Sequence, residues 1–368
     1  MKNTETIYPV ALPATDVALA RMLRVSLRTL WFGTVSRGPN VDQSNLYRRK
    51  EIPKPAGKVR VLHVPQHPID TLQKRILKYA LDPFTAELWE AAPWVSAYAK
   101  GRSVYDCADQ HVGCAVKLSM DIKDFFGSTS LQMVRDALIT VLDYPRSTAS
   151  MIATLATMRL EDGSRQVLPQ GASTSPTLAN LVAYQRIDLR LLRWLHHNFG
   201  EDAVVYTRYS DNLEVSFREP LSGKDVGRVQ DAMRRCINRA DYRVNHDKTR
   251  VQRHNSPTQR MAVLGLTVNE KLNMPKARYR QLRAIVHQAD LWWNDRHPLE
   301  ERLVALGRAG LCGRDEAVDL LVRAGLLRPR LEHAKYVLEC RIRYYQAVAP
   351  ERVAYLLEKL EENTPPTG

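Results

Sequence analysis

Apolar positions recur at helical spacing through residues 15–33, from Thr15-Asp16 through Leu19 and Leu23 to Gly33. This predicts one amphipathic helix, capped by Thr15 or Asp16 and closed by the glycine. Residues 34–45 are polar and read as a loop. Two short β-like runs then flank Pro55-Ala56-Gly57, the pattern of a hairpin. A helix is expected from Ile69 to Tyr79. Residues 115–121 read as a strand with an acidic end, and residues 131–158 as helices broken at Asp143-Tyr144-Pro145. Helical spacing returns at 176–195 and 225–240. Residues 203–217 read as two strands joined by a tight polar turn, and 262–268 as one more strand. From Tyr279 the pattern is helical, with a tail from Asn363 expected to fray. Mixed elements followed by helices alone predict an α/β body with a helical appendage.

Composition narrows this picture. A length of 368 residues suggests two or three lobes, and 44% hydrophobic with 26% charged residues excludes a wholly disordered chain. No apolar run reaches the roughly 18 residues of a membrane span, and the N-terminal residues lack the apolar core of a secretory signal. The 54 Lys and Arg exceed the 40 Asp and Glu by 14 charges, which favours a polyanionic partner such as nucleic acid. The five cysteines form no C-x-x-C pair and no zinc-like spacing, so reduced thiols and a cytoplasmic location are expected.

Two acids carry candidate chemistry. Asp121 ends a strand-like run, and Asp211 lies in the turn of Tyr-Ser-Asp-Asn. Carboxylates at strand ends can hold divalent cations, and two such ions about 3.5–4 Å apart can clamp the oxygens of a phosphoryl transfer. Either residue alone is also ordinary turn chemistry.

Their neighbours favour the first reading. Leu118-Ser-Met-Asp-Ile-Lys-Asp-Phe-Phe126, Leu168-Pro-Gln-Gly171, Tyr209-Ser-Asp-Asn212, Asn245-His-Asp-Lys-Thr249 and Val263-Leu-Gly-Leu266 occur in this order. The series, covering about residues 47–270, resembles the reverse transcriptase family. The resemblance implies an α/β (α+β) right-hand polymerase fold with fingers, palm and α-helical thumb. It divides the chain into an N-terminal helical extension (1–45), fingers and palm (46–270) and thumb (271–368). It implies that Asp121 and Asp211 bind two Mg²⁺ ions, with the Ile122 carbonyl and Asn212 as further oxygen ligands, and that Lys248 is the acid for leaving pyrophosphate. Phe126 matches the steric gate against a ribose 2′-hydroxyl, although it and Phe125 also fit a core. Gln170, Gly171 and Tyr209 match nucleotide-binding positions, Arg60 matches a triphosphate contact, and Lys58 is a second one. The last two residues also fit a solvated charge run. Arg48 and Arg49, and Lys276, Arg278, Arg280 and Arg283, fit a track for a template–primer backbone or a solvated helix face.

The sequence departs from the family at Asn212, where a second Asp is usual. Loss of one charge weakens Mg²⁺ most, so a weakened or Mn²⁺-favouring enzyme is expected. Cys107-Ala-Asp-Gln-His111 resembles the Asn-Ala-x-x-His signature of retron enzymes, with Cys for Asn, and Leu264 stands where those enzymes carry Thr. A retron-like or defence-associated bacterial enzyme is therefore implied. It would copy a structured noncoding RNA into DNA from dNTPs, with a role in antiviral defence and an accessory effector protein as a further partner. Template-independent or protein-primed synthesis and a catalytically impaired RNA-binding palm are the alternatives.

Overall fold

A computed structural model describes residues 11–35, 46–53, 59–160, 162–293, 297–309 and 327–364. The chain divides into two compact units, Met1–Gln259 and Arg260–Gly368. No helix among the described residues is long and apolar enough to cross a membrane.

The first unit opens with α1 (Asp16–Met22) and α2 (Leu27–Val35). Thr15 caps α1, accepting from the Ala18 amide. The single helix expected over 15–33 is broken where Arg24 turns left-handed, at φ 56°. Gly33 closes nothing. It lies inside α2, where a Cβ would stand 2.7 Å from the Leu72 and Leu155 side chains, so its role is close packing. Strands β1 (Tyr47–Pro53) and β2 (Val59–Pro65) form the expected antiparallel ribbon, in register from Tyr47↔Pro65 to Pro53↔Val59. Its Pro-Ala-Gly turn lies outside the described residues. Helix α3 (Ile69–Arg75) outruns its predicted end through a π-helical turn, Ile76–Leu81, into α4 (Asp82–Ala91). After α5 (Val104–Asp109) come β3 (Val116–Ile122), α6 (Phe125–Ser128), α7 (Leu131–Leu142) and α8 (Arg146–Ala156), then the short pair β4 (Met158–Arg159) and β5 (Gln166–Val167). Next are α9 (Ser175–Ala183), a π-helical turn (Tyr184–Asp188), α10 (Leu189–Phe199), β6 (Val204–Tyr209), β7 (Asn212–Phe217), α11 (Gly223–Arg239) and β8 (Val244–Arg253). Strand β8 was not expected, since its eight central residues, NHDKTRVQ, are polar but for one valine.

Strands β6, β7, β3 and β8 form one four-stranded sheet in that order, every pair antiparallel. The period of two sorts the side chains onto two faces. Val116, Leu118, Met120 and Ile122 share a face with Leu213, Val215 and Phe217, all buried. Helix α11 packs behind β3 and β8 and buries Val226, Val229, Met233 and Ile237, which recur at helical spacing. The opposite face carries Lys117, Ser119 and Asp121 on β3 beside Ser216, Glu214 and Asn212 on β7. Away from the Asp121 end this polar face is closed. Lys117 Nζ donates to Glu214 Oε2 at 2.6 Å, and Ser119 Oγ donates to the same oxygen at 2.6 Å. His111, following α5, lies 2.7 Å from Ser216 Oγ and 2.8 Å from Thr207 Oγ1. The Cys107 thiol donates to Thr207. The Cys-Ala-Asp-Gln-His segment thus fastens α5 to the floor of the sheet.

A buried charged side chain sits on the apolar face. Arg208 of β6 is wholly buried. Its guanidinium donates to Asp188 Oδ2 at 2.9 Å, to Asn180 Oδ1 at 2.8 Å and to the Ser210 carbonyl at 3.2 Å. Asp188, at the end of the π-helical turn, also accepts from the Tyr206 hydroxyl at 2.7 Å. An arginine here breaks the apolar alternation, but its donors are matched by acceptors from α9 and the turn that follows it.

In the second unit, residues 262–268 form a small hairpin, β9 (Ala262–Val263) with β10 (Leu266–Thr267), rather than one strand. The chain reverses through Leu264 and Gly265, both at positive φ. Helix α12 (Lys276–His287) packs Leu282 and Val286 in the interior beside the helix Pro350–Asn363, which buries Val353, Leu356 and Leu360. The tail is held further than expected. Asn363 donates to the Val286 carbonyl at 2.9 Å, and Thr364 is fully buried. Residues 365–368 lie outside the described residues.

Two measurements check these contacts. Burial, and then the Lys117 charge, lower the His111 imidazole from 6.5 to about 3. It stays neutral in the fold while the unfolded chain protonates, so its stability is present above pH ~6.5 and is lost from there down towards pH ~3, by about 1.4 kcal/mol per unit. Acidification from pH 7 to pH 5 is expected to cost about 2 kcal/mol through His111, seen as a falling urea midpoint whose slope flattens in His111→Gln. Arg208→Met leaves Asp188 buried without its cation and is expected to destabilise by about 3–5 kcal/mol in urea unfolding. Combining it with Asp188→Leu should recover part of that loss, because an apolar pair replaces a buried pair more easily than half of one does.

Candidate active site

The register of the sheet assembles the site. Asp121 of β3 is directly opposite Asn212 of β7 on one side and Asn245 of β8 on the other. Between β6 and β7 only Ser210 and Asp211 remain, a two-residue turn with Ser210 left-handed at φ 60°. Both carbonyls of this turn are tied down. Ser210 O accepts from Arg208, and Asp211 O accepts from the Ile122 amide at 2.8 Å. On β8 the register with β3 shifts between Ser119 and Asp121, a bulge beside the site. The bulged segment carries Lys248, whose Nζ donates to Asp121 Oδ2 at 2.7 Å. Asn245 Nδ2 donates to Asp121 Oδ1 at 2.9 Å. Asp121 is 3% exposed, so Asn245 and Lys248 satisfy both oxygens of a buried carboxylate.

Asp211 is less well compensated. Its Oδ1 accepts from Asn212 Nδ2 at 3.0 Å. Burial, and then the Asp121 charge, raise its carboxyl above the usual range, against the opposing pull of Lys248 and Arg60. Two carboxylates that repel each other at adjoining strand ends are a donor set that a divalent cation would relieve. With the Ile122 carbonyl and the Asn212 carboxamide, the available ligands are all hard oxygens, which suits Mg²⁺ or Mn²⁺. No group of three or more His, Cys, Asp and Glu that could hold a metal occurs among the described residues, and Asn212 in a third carboxylate's place is in keeping with that.

The other sequence-predicted residues fall as follows. Phe125 is buried, whereas Phe126 lies partly exposed and packs against the core, its ring 5.7 Å from Phe125. Gln170 and Gly171 follow β5. The Gln170 carbonyl accepts from the His63 amide at 2.7 Å, which ties this loop to β2. Gly171 has φ 114°, and a Cβ there would stand 3.3 Å from the His63 carbonyl, so the close approach requires glycine. Arg60 is exposed on β2, near enough for its charge to act on Asp211. Lys58 lies outside the described residues. Tyr209 is half-buried next to the turn, and burial, then Tyr98, raise its phenol. Arg48 and Arg49 are exposed on β1, the latter paired with Glu51.

The remaining basic residues belong to the second unit. Lys276, Arg280 and Arg283 are exposed and share one face of α12. Arg278 occupies the inward stripe with Leu282 and Val286, donating to Gln281 at 2.6 Å and bonding Tyr345. Sequence reasoning missed Arg208, Asp188 and Asn180. A lone arginine inside an otherwise apolar strand was the one signal for them. It also quoted Asn245 without assigning it a role.

The sequence is similar to known proteins. A family model described as reverse transcriptase (RNA-dependent DNA polymerase) matches residues 52–268. The retron Mx65 reverse transcriptase of Myxococcus xanthus is 36% identical over 297 residues, covering 76% of this chain and 64% of that protein. The retron Ec86 reverse transcriptase of Escherichia coli is 27% identical over 234 residues, covering 63% of this chain and 66% of that protein. This chain therefore spans slightly less than two thirds of either relative's length. Among solved structures, telomerase from Candida albicans with a fragment of telomeric RNA aligns at a TM-score of 0.46 and 13% identity, over 86% of this chain and 59% of that one. With the family model matched across the sheet, the Asp211 turn and the loop at Gln170, the chain belongs to the reverse transcriptase family.

Proposed function

We propose that this protein is an RNA-directed DNA polymerase that extends a primer 3′ end with dNTPs. The observation that carries this reading is the placement of Asp121 and Asp211 at adjoining strand ends with Lys248 against Asp121. Two divalent cations, when bound there, supply activation of the primer hydroxyl and neutralisation of phosphate charge. Asp121 and Asp211, with the Ile122 carbonyl, would hold them. Asn212 contributes a neutral carboxamide, which shifts the preference from Mg²⁺ towards Mn²⁺. Lys248 is the proton donor to the departing pyrophosphate. Arg60, with Lys58, binds the triphosphate. Phe126 excludes a ribose 2′-hydroxyl, and Gln170, Gly171 and Tyr209 border the nucleotide.

Arg48 and Arg49 in the first unit, and Lys276, Arg280 and Arg283 in the second, contact the template–primer backbone, with Arg278 adding charge behind that face. Helices α1 and α2 belong to an N-terminal extension (1–45), with fingers and palm in 46–270 and the thumb in 271–368. The retron reverse transcriptases among its relatives support an RNA template; in this reading the template is a structured noncoding RNA, the product is DNA, and the enzyme acts in the cytoplasm in antiviral defence with an accessory effector protein.

Labelled dNTP incorporation in Mg²⁺ and in Mn²⁺ tests this reading. Wild type is expected to incorporate, faster in Mn²⁺. Asp121→Ala and Asp211→Ala should each lose at least about a hundredfold, the scale of removing one electrostatic stabiliser of developing charge. Asn212→Asp should raise the Mg²⁺ rate about tenfold, equivalent to ~1.4 kcal/mol. Synthesis at the wild-type rate by Asp211→Ala would overturn the assignment. A silent wild type with Asn212→Asp also silent would leave an RNA-binding palm as the better account.

A further inference from the structure

A row of four aromatic rings runs outward from the core of the first unit. Tyr242 is buried, its hydroxyl 2.7 Å from that of Thr129. Phe125 stands 5.5 Å from Tyr242, Phe126 5.7 Å from Phe125, and Tyr98 6.5 Å from Phe126 at an interplanar angle of 47°. The inner two rings are core. Phe126 is partly exposed, and Tyr98, the outermost, is 49% exposed. An exposed ring at the end of this row adds little to the core, yet its backbone is left-handed at φ 57°, a genuine outlier for a bulky residue.

The surrounding structure enforces that conformation. The segment before Tyr98 runs parallel to β6 through Val95 and Arg208. The Arg208 amide donates to the Trp94 carbonyl at 2.7 Å, and the Ser96 amide donates to the Arg208 carbonyl at 3.1 Å. Asn180 Nδ2 donates to the Ala97 carbonyl at 2.6 Å, one residue before the ring. Arg102 donates to the Trp89 carbonyl, to Ala92 O at 2.6 Å and to Val95 O at 2.7 Å. Asn180 also accepts from the Arg208 side chain that holds the Ser210 carbonyl. One buried network therefore holds both the Ser210 carbonyl of the Asp211 turn and the Ala97 carbonyl beside Tyr98.

We propose that Tyr98 contacts the sugar of the incoming nucleotide beside Phe126 and is a second determinant of the preference for deoxynucleotides. This rests on the polymerase reading above. The phenol widens the aromatic surface that Phe126 begins, so a sugar lying against Phe126 meets a second ring at its edge. The strained backbone positions the ring there rather than folding it onto the core.

The test compares wild type, Tyr98→Ala and Tyr98→Phe, all with primer–template and Mn²⁺. Equilibrium binding of dGTP and GTP is measured first, then incorporation of each, with thermal unfolding alongside. Because the ring is half exposed, Tyr98→Ala should melt close to wild type. Its dGTP affinity should fall about tenfold, the scale of one lost aromatic contact, and its preference for dGTP over GTP should fall by a similar factor. Tyr98→Phe should stay within about threefold of wild type on both, as the ring is retained. Wild-type affinity and wild-type preference in Tyr98→Ala would overturn the proposal while leaving the polymerase reading intact. An equal loss for both nucleotides with an unchanged ratio would also overturn it. A wild-type protein that neither binds nor incorporates dGTP would overturn both.

Discussion

The site depends on the antiparallel register of β3 with β7 and β8. Pairing Asp121 with Asn212 and Asn245 brings together residues far apart in sequence, with the Asp211 turn at the same strand end. A slip of one residue would turn Asp121 onto the apolar face and expose Met120 or Ile122 in its place. Register is held most firmly where one face is buried, and here Leu118, Met120, Leu213 and Val215 are all at or below 3% exposure. The hydrophobic alternation that folds the sheet is thus also what orients the carboxylates.

The polar face of that sheet has an unusual division of labour. At the Asp121 end its carboxylate is held by Asn245 and Lys248 beside the Asp211 turn. Farther along, Lys117, Glu214, Ser119, Ser216, Thr207 and His111 bond one another and are covered. On the other face, Arg208 reaches across to Asp188 and Asn180 and back to the Asp211 turn. Buried polar groups of this kind add little net stability compared with apolar substitutes. Their geometric effect is larger, since each has a unique set of partners and fixes the backbone that carries it. The π-helical turn ending at Asp188 fits this role, because it sets the phase at which the helix presents that carboxylate to β6.

Much of this was legible in the sequence. The strands around Asp121 and Asp211 follow from alternation and a tight polar turn, and the family motifs supplied Lys248, Phe126 and Gln170. Strand β8 was hidden, because it is polar on most positions and bulged where Lys248 turns towards Asp121. The break at Arg24 was hidden too, since it has neither Pro nor Gly to announce it. Gly33 was misread as a cap because a glycine that permits close packing and a glycine that ends a helix look alike in sequence. The Arg208 network was out of reach, as its partners come from α9, the turn after it and β6, and only the fold brings them into contact.

Asn212 is where chemistry and sequence part from the family. Its amide donates to Asp211, so the side chain that replaces a carboxylate now stabilises its neighbour's charge instead of adding its own. The proposed activity of the site around it is the copying of RNA into DNA. The most direct measurement is extension of a labelled DNA primer on an RNA template of defined mixed sequence, in Mn²⁺, with the product sequenced. The account predicts DNA complementary to the template, ending at its 5′ end and abolished by prior removal of the RNA. DNA whose sequence is independent of the template, or a primer left unextended by folded protein, would contradict it.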